Sequence, residues 1–460
     1  MRVGDVLSSS KGLLVPGGFL AGAAVCAWMM RGAPHSIAVD RAQPLVVVTY
    51  WHQFGVQMWL ALALAIAVAS IGYFAALRHA SLRATVFMSS LACVAALLVP
   101  VVFSSDAYAY VGYGDMALHG INPYAHARIS QHDPLLDAMV WQWGNPPPMC
   151  VYGPAFVWLM QGIVALFSPL GAAAPLWTVR ILACGALVMC APLAYAAFSP
   201  LSERTRAAAA AGIALNPIAI WSAAEGHNDT LALAIVLGGF ALAARSRYFW
   251  GALVVALSAL VKAPGAVAAI AFACASWRDR ARFAPIARGA LAGIAIVAAL
   301  AVPLEYGVRA HMVPSAHYSP QFSLQYVSLP LAALTAAALA ACLCFEGMRT
   351  TRTIMPLLGF AVWLAIPNPY PWYAVWLLPL AFLVWESAGA WALIALSLLS
   401  VARYYPDATS ATLSRPLGIA VVTVEIALPL VLISAHMAYA HRDRRGIRTR
   451  APGFATPRSQ

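Results

Sequence analysis

The hydrophobic positions of this chain gather into long, almost unbroken runs at residues 13–31, 56–78, 84–103, 180–198, 207–224, 230–245, 285–303, 326–345, 354–366, 370–386, 388–403 and 417–438. A helix rises about 1.5 Å per residue, so about 20 apolar residues cross a hydrocarbon core roughly 30 Å thick. The runs therefore predict an all-α, polytopic membrane protein of about 12–14 transmembrane helices. Two further runs, 151–170 and 249–275, are not placed by hydrophobicity alone.

The polar positions between the runs settle the threading, because Lys and Arg in short loops favour the cytoplasm. With the N-terminus inside, the loop carrying Arg78 and Arg83 also falls inside, and residues 104–150, with four acidic residues and one arginine, fall outside. Arg204 and Arg206 also want the cytoplasm, which requires an odd number of crossings between 150 and 199. The run 151–170 is therefore expected to lie at the outer interface or re-enter without crossing. The run 249–275 has Arg245 and Arg247 before it, Arg278, Arg280 and Arg282 after it, and Lys262, Pro264 and Gly265 near its middle. It is expected to be a helical hairpin with a broken tip reaching toward the outer leaflet. The chain then reads as one transmembrane domain over 1–440 with a basic cytoplasmic tail over 441–460. The outer face collects the loop 104–150, the turn Glu225-Gly226-His227-Asn228-Asp229, the loop 304–325 and the segment 368–373.

Composition supports lipid as the main solvent: 62% of the 460 residues are hydrophobic and 10% are charged. The formal charge of +12 would suggest nucleic acid in a soluble protein, but these arginines sit in short loops and in the tail, so topology explains them and no nucleic-acid partner is inferred. The eight cysteines form no CxxC pair and mostly fall within apolar runs, and neither a disulfide nor a metal site is inferred from them. No cofactor is expected, although a divalent metal remains open. The first apolar run follows Arg2 and Lys11 without a small-residue cleavage site and is read as a retained helix.

Candidate chemistry concentrates in the outer segments. Asp106 stands in Ser104-Ser105-Asp106-Ala107-Tyr108-Ala109-Tyr110, close to a helix end at the membrane boundary. A carboxylate there can take a proton from a sugar hydroxyl, with Tyr108, Tyr110, Asn122, Tyr124 and Tyr152 to stack on or hydrogen-bond a sugar. A solvated helix terminus is the alternative. Glu225, His227, Asn228 and Asp229 put two carboxylates, an amide and an imidazole into five residues, where capping of the next helix competes with function for Asn228. Lys262 is the only lysine besides Lys11 and lies deep in an apolar run, where an ammonium is costly unless paired or used; a phosphate is its expected partner, with His227 and Arg309 as helpers. Tyr370, Trp372, Tyr373 and Trp376 fit either a sugar or prenyl groove or interfacial anchoring.

Five segments, SSDAYAYVGYGDMALHGINPY, VYGPAFVWL, NPIAIWSAAEGHNDTLA, VKAPG and PNPYPWYAVWLLPLA, span residues 104–380 in this order. In them the chain resembles the bacterial polyprenyl-phosphate-mannose-dependent α-1,6-mannosyltransferases, multi-spanning enzymes of the GT-C superfamily. The resemblance implies a GT-C-type helical bundle in the inner membrane and makes Asp106 the catalytic base. It also implies an inverting transfer of one hexose, mannose, from a polyprenyl-phosphate-sugar donor to a hydroxyl of a lipid or glycan acceptor on the non-cytoplasmic face. The rival readings are a transporter or lipid-linked sugar flippase, and a ligase that moves a preassembled glycan.

Overall fold

The computed structural model describes residues 10–29, 45–79, 81–99, 101, 104, 106–125, 127–304, 359, 363 and 370–403, with isolated positions between 416 and 431. Among these residues every regular element is helical, with no strand. Arg309, the loop 304–325 beyond Leu304, the runs 326–345 and most of 354–366, and the tail 441–460 lie outside the described residues.

The N-terminal part contains α1 (Leu14–Met29), α2 (Leu45–His79) and α3 (Leu82–Leu97), with α1 packed on both others. Next come three helices of the expected outer segment and its flank: α4 (Asp106–Leu118), α5 (Pro134–Trp143) and α6 (Pro154–Phe167). The helix α6 packs along α4. A 3-10 turn at Ser168–Leu170 continues it, giving an apolar helix over 154–170 that is shorter than the long spans. The bundle continues through α7 (Ala173–Ala197), α8 (Glu203–Ala214), α9 (Pro217–Ala224) and α10 (Asp229–Ala244).

The helices Trp59–Arg78, Ala173–Ala197 and Arg280–Ala301 are long and apolar enough to cross a membrane. Exposed Leu64 (61%), Ile181 (57%) and Leu291 (66%) on these helices would be unfavourable in water and suit a lipid surround. The run 207–224, expected as one helix, is instead the pair α8 and α9, bent by 42°. The cause is local. Pro217 disfavours helical geometry at Asn216, whose side-chain oxygen caps α9 by accepting from the Ile218 and Ala219 N–H groups at 3.0 and 3.2 Å. Its amide also donates to Ser397 Oγ at 3.0 Å, fixing the bend inside the bundle.

The run 249–275 is broken as expected, into α11 (Tyr248–Leu257) and α12 (Pro264–Ala275), with a 3-10 turn at Ser258–Leu260 and Lys262 in the gap. Each arm is too short to cross alone. The described part continues with α13 (Arg280–Ala301), a 3-10 segment at Pro371–Leu377, α14 (Leu378–Leu383) and α15 (Ala388–Leu399). The main core joins α7, α8, α9, α14 and α15 around Leu187, Trp221, Phe382 and Leu393. A second cluster seats Tyr110, Phe156, Met160 and Val179 between α4, α6 and α7.

The loop before α6 is locked to the break before α12. The Gly153 N–H donates to the Val261 carbonyl at 3.0 Å, and a Cβ at Gly153 would stand 2.1 Å from the Leu260 carbonyl oxygen. Gly153→Ala is expected to lower the thermal midpoint of the purified protein, because the obstacle is backbone and overpacking of this kind costs about 1–3 kcal/mol. Gly162→Ala is the matched control: it lies inside α6 with nothing within 4 Å of the added Cβ, so it should leave the midpoint unchanged or raise it. Equal midpoints for the two variants would contradict the close approach.

Candidate active site

Asp106 is the first residue of α4, where a carboxylate is favoured by the partial positive charge of a helix N-terminus. Its N–H donates to Ser104 Oγ at 3.2 Å. Three groups surround its Oδ2. The Tyr110 hydroxyl, one helical turn on, lies at 3.3 Å; the Tyr152 hydroxyl lies at 3.5 Å; and His227 Nδ1 lies at 3.5 Å. Burial pushes the Asp106 carboxyl up, but His227, then Lys262 and Tyr110, outweigh it and hold it below its ordinary value. Burial, then the Asp106 charge, holds the Tyr110 and Tyr152 phenols well above theirs, so both remain donors. The Asp106 side chain is 27% exposed whereas that of His227 is 0% exposed, which leaves the carboxylate reachable by a ligand and the imidazole behind it.

The turn between α9 and α10 supplies the next groups. Gly226 has a φ of +92°, in the left-handed region that glycine accepts without strain, and it lets the chain reverse beside Ala107. His227 stacks on Trp372 at 4.0 Å between ring centroids, and Trp372 stacks on Tyr370 at 4.4 Å. Trp372 is buried, so it serves as packing for the site rather than as an interfacial anchor. Asn228 occupies the N-cap position of α10 but makes no side-chain capping bond. Its Oδ1 lies instead 3.5 Å from the Tyr110 hydroxyl.

Asp229 is fully buried and held on both oxygens. Lys262 Nζ donates to Oδ2 at 2.6 Å and Trp376 Nε1 donates to Oδ1 at 2.7 Å. Lys262 is therefore paired, not snorkelling. Its ammonium also lies 4.7 Å from the Tyr373 ring centroid and 5.9 Å from that of Tyr152. Its side chain retains 12% exposure, and an ammonium has three donors.

The structure thus brings Asp106, Tyr110, Tyr152, His227, Asn228, Asp229, Lys262, Tyr370, Trp372 and Tyr373 into one contiguous site. Tyr108 feels the charges of Arg180 and Glu225, a step behind that site. Asn122 and Tyr124 shape the loop instead. Asn122 Oδ1 accepts from the Tyr124 N–H at 3.0 Å, and the buried Tyr124 hydroxyl donates to the Tyr152 carbonyl at 2.9 Å.

Arg180 was not singled out in the sequence. Buried in α7, it donates from Nε to the Ala224 carbonyl at 2.5 Å and from Nη2 to the Leu97 and Val99 carbonyls at 3.0 and 2.9 Å. It thereby ties the end of α9 to the end of α3, beneath the Glu225–Asp229 turn. The available signal is a lone arginine in an apolar helix, concealed because Arg180 stands at the edge of the apolar run 180–198. At the other end of α4, Asp115, His119 and Asp133 bring their ligand atoms within 4.8 Å of one another. Burial, then the neighbouring Asp133 carboxyl, pushes Asp115 up to about 7.

The family described as alpha-(1->6)-mannopyranosyltransferase, N-terminal domain, matches residues 10–278, well over half of the chain. Alpha-(1->6)-mannopyranosyltransferase A of Mycobacterium tuberculosis (strain ATCC 25618 / H37Rv) is 25% identical over 405 residues, covering 78% of this chain and 76% of that protein. No solved structure matches. The matched stretch contains Asp106, the Glu225–Asp229 turn and Lys262, and the chain belongs to the alpha-(1->6)-mannopyranosyltransferase family.

Proposed function

We propose that this mannosyltransferase takes a single mannose from a polyprenyl-phosphate-mannose donor and places it, with inversion, on a hydroxyl of a lipid or glycan acceptor at the non-cytoplasmic face. Asp106 carries the reading: it combines partial exposure with neighbours, His227, Lys262 and Tyr110, that hold its carboxyl below its ordinary value against the opposing effect of burial. The acceptor oxygen attacks the anomeric carbon from the side opposite the phosphate as Asp106 removes its proton. The anomeric C–O bond breaks, and its electrons leave with the polyprenyl phosphate. A phosphate departs as an anion, so the step requires no general acid. Lys262, oriented by Asp229, has donors left to stabilise that anion at an edge of the site.

The Asp106 hydrogen bonds, at 3.3–3.5 Å, are long, as bonds awaiting a substrate often are. Tyr152 flanks both Asp106 and Lys262, Tyr373 flanks Lys262, and both offer ring faces to a pyranose. A transporter would need the broken segment around Lys262 to move. Its attachment to Gly153 and to Asp229 favours a fixed platform.

Purified protein supplied with radiolabelled polyprenyl-phosphate-mannose and a lipid extract is expected to form a mannosylated product, while GDP-mannose should give none. Asp106→Asn should lower turnover by about 10²-fold or more at unchanged expression. Use of GDP-mannose, or full activity in the variant, would overturn the reading.

The pH profile tests how Asp106 is held. In the wild type, kcat/KM should stay level on acidification down to about pH 4 and fall only below the ordinary carboxylate range. His227→Gln removes the strongest influence lowering the Asp106 carboxyl and leaves burial to raise it. Protonation then occurs at higher pH, and the acid limb should move upward. An unmoved limb would show that His227 does not keep Asp106 ionised.

A further inference from the structure

The far end of α4 holds a second polar cluster. Asp106 and Asp115 are nine residues apart, so they lie about 13 Å apart along the helix and on opposite faces. Asp115 is 3% exposed, and its Oδ2 has no hydrogen-bond partner among the described residues. His119 follows one turn later. Its Nδ1 lies 3.0 Å from the Asp115 carbonyl oxygen and 3.3 Å from Asp115 Oδ1. Asp133 is the N-cap of α5. Its Oδ1 accepts from the Leu135 and Leu136 N–H groups at 2.8 and 3.1 Å, and its Oδ2, also without a partner, stands 3.9 Å from His119 Nε2.

We propose that Asp115, His119 and Asp133 bind one divalent transition-metal ion of borderline hardness, zinc or manganese, which clamps the end of α4 to the start of α5. Each residue offers one ligand atom, and the three atoms lie within 4.8 Å of one another. Bonds of about 2.0–2.2 Å to one tetrahedral ion put ligand atoms roughly 3.3–3.6 Å apart, so side-chain rotation must bring these atoms closer by up to about 1.5 Å. With Nδ1–H donated to the Asp115 carbonyl, as metal-bound histidines usually donate their other nitrogen, the Nε2 lone pair faces Asp133 Oδ2. That lone pair would face a carboxylate oxygen without a hydrogen-bond partner and stand near a second, buried one, Asp115 Oδ2, and a cation between them would satisfy all three atoms. One imidazole with two carboxylates suits zinc or manganese better than magnesium or calcium, which favour all-oxygen sites. The ion has a way in, because the His119 and Asp133 side chains are 38% and 26% exposed, and water would complete its coordination. The site uses no cysteine and is independent of the transfer reaction.

The test uses the full chain purified in detergent through a tag without histidine, stripped with EDTA and titrated with zinc chloride or manganese chloride. Calorimetry and elemental analysis should give one bound ion per chain at micromolar affinity or tighter for at least one of the two metals, and that metal should raise the thermal midpoint. His119→Ala and Asp133→Asn should each weaken binding by about tenfold or more. His119 is partly exposed and Asn still caps a helix, so both variants should fold. Asp106→Asn should bind the ion as the wild type does. The proposal is overturned by no saturable binding below about 1 mM, by stoichiometric binding unchanged in both cluster variants, or by binding lost in Asp106→Asn.

Discussion

The buried carboxylate of Asp229 is the constraint on which the site depends. Both its oxygens are claimed, one by the Lys262 ammonium and the other by the Trp376 indole. Leaving such a charge unpaired in a buried setting would cost about 3–5 kcal/mol. Three stretches distant in the chain must therefore meet: the start of α10, the break before α12 and the 3-10 segment at Pro371–Leu377. Gly153 adds a fourth by locking the loop before α6 onto the same break. Tyr152 then reaches Asp106, and the candidate base and the ammonium share one end of the bundle.

Exposure divides the site into a working rim and a fixed foundation. His227 and Asp229 are closed off from solvent, while Asp106 and Lys262 keep part of their surface open. The aromatic stack of His227, Trp372 and Tyr370 holds the imidazole from behind. Arg180 takes up three backbone carbonyls that helix ends leave without partners. The rim is where sugar and phosphate chemistry would take place, and the foundation sets the charge of its carboxylate.

Much of this was legible in the sequence. Long apolar runs fixed the helical membrane architecture, and Arg placement predicted the break around Lys262, because lipid leaves few options for a chain so poor in charge. The meeting of Asp106 with Lys262 followed from putting both on one side. Side-chain partnership was harder to read. Asn228 looked equally like a cap and a site residue, and only the absence of a capping bond separates the two. Trp372 and Trp376 resembled interfacial anchors because composition does not reveal where an indole N–H points. The bend at Asn216-Pro217 had a local signal that the unbroken hydrophobicity of 207–224 concealed. Asp115, His119 and Asp133 are a turn or a loop apart, and only folding makes them neighbours.

The central claim is a division of labour, with Asp106 for proton removal and the Asp229–Lys262 pair for holding the donor phosphate. Its most direct test is donor binding measured separately from single-turnover transfer. Asp106→Asn should bind polyprenyl-phosphate-mannose within about threefold of wild type, well under 1.4 kcal/mol, while transfer is lost. The double variant Asp229→Asn/Lys262→Met, which leaves no orphaned charge, should bind it at least about tenfold more weakly. Donor binding lost in parallel with transfer in Asp106→Asn, or unchanged in the double variant, would contradict the account.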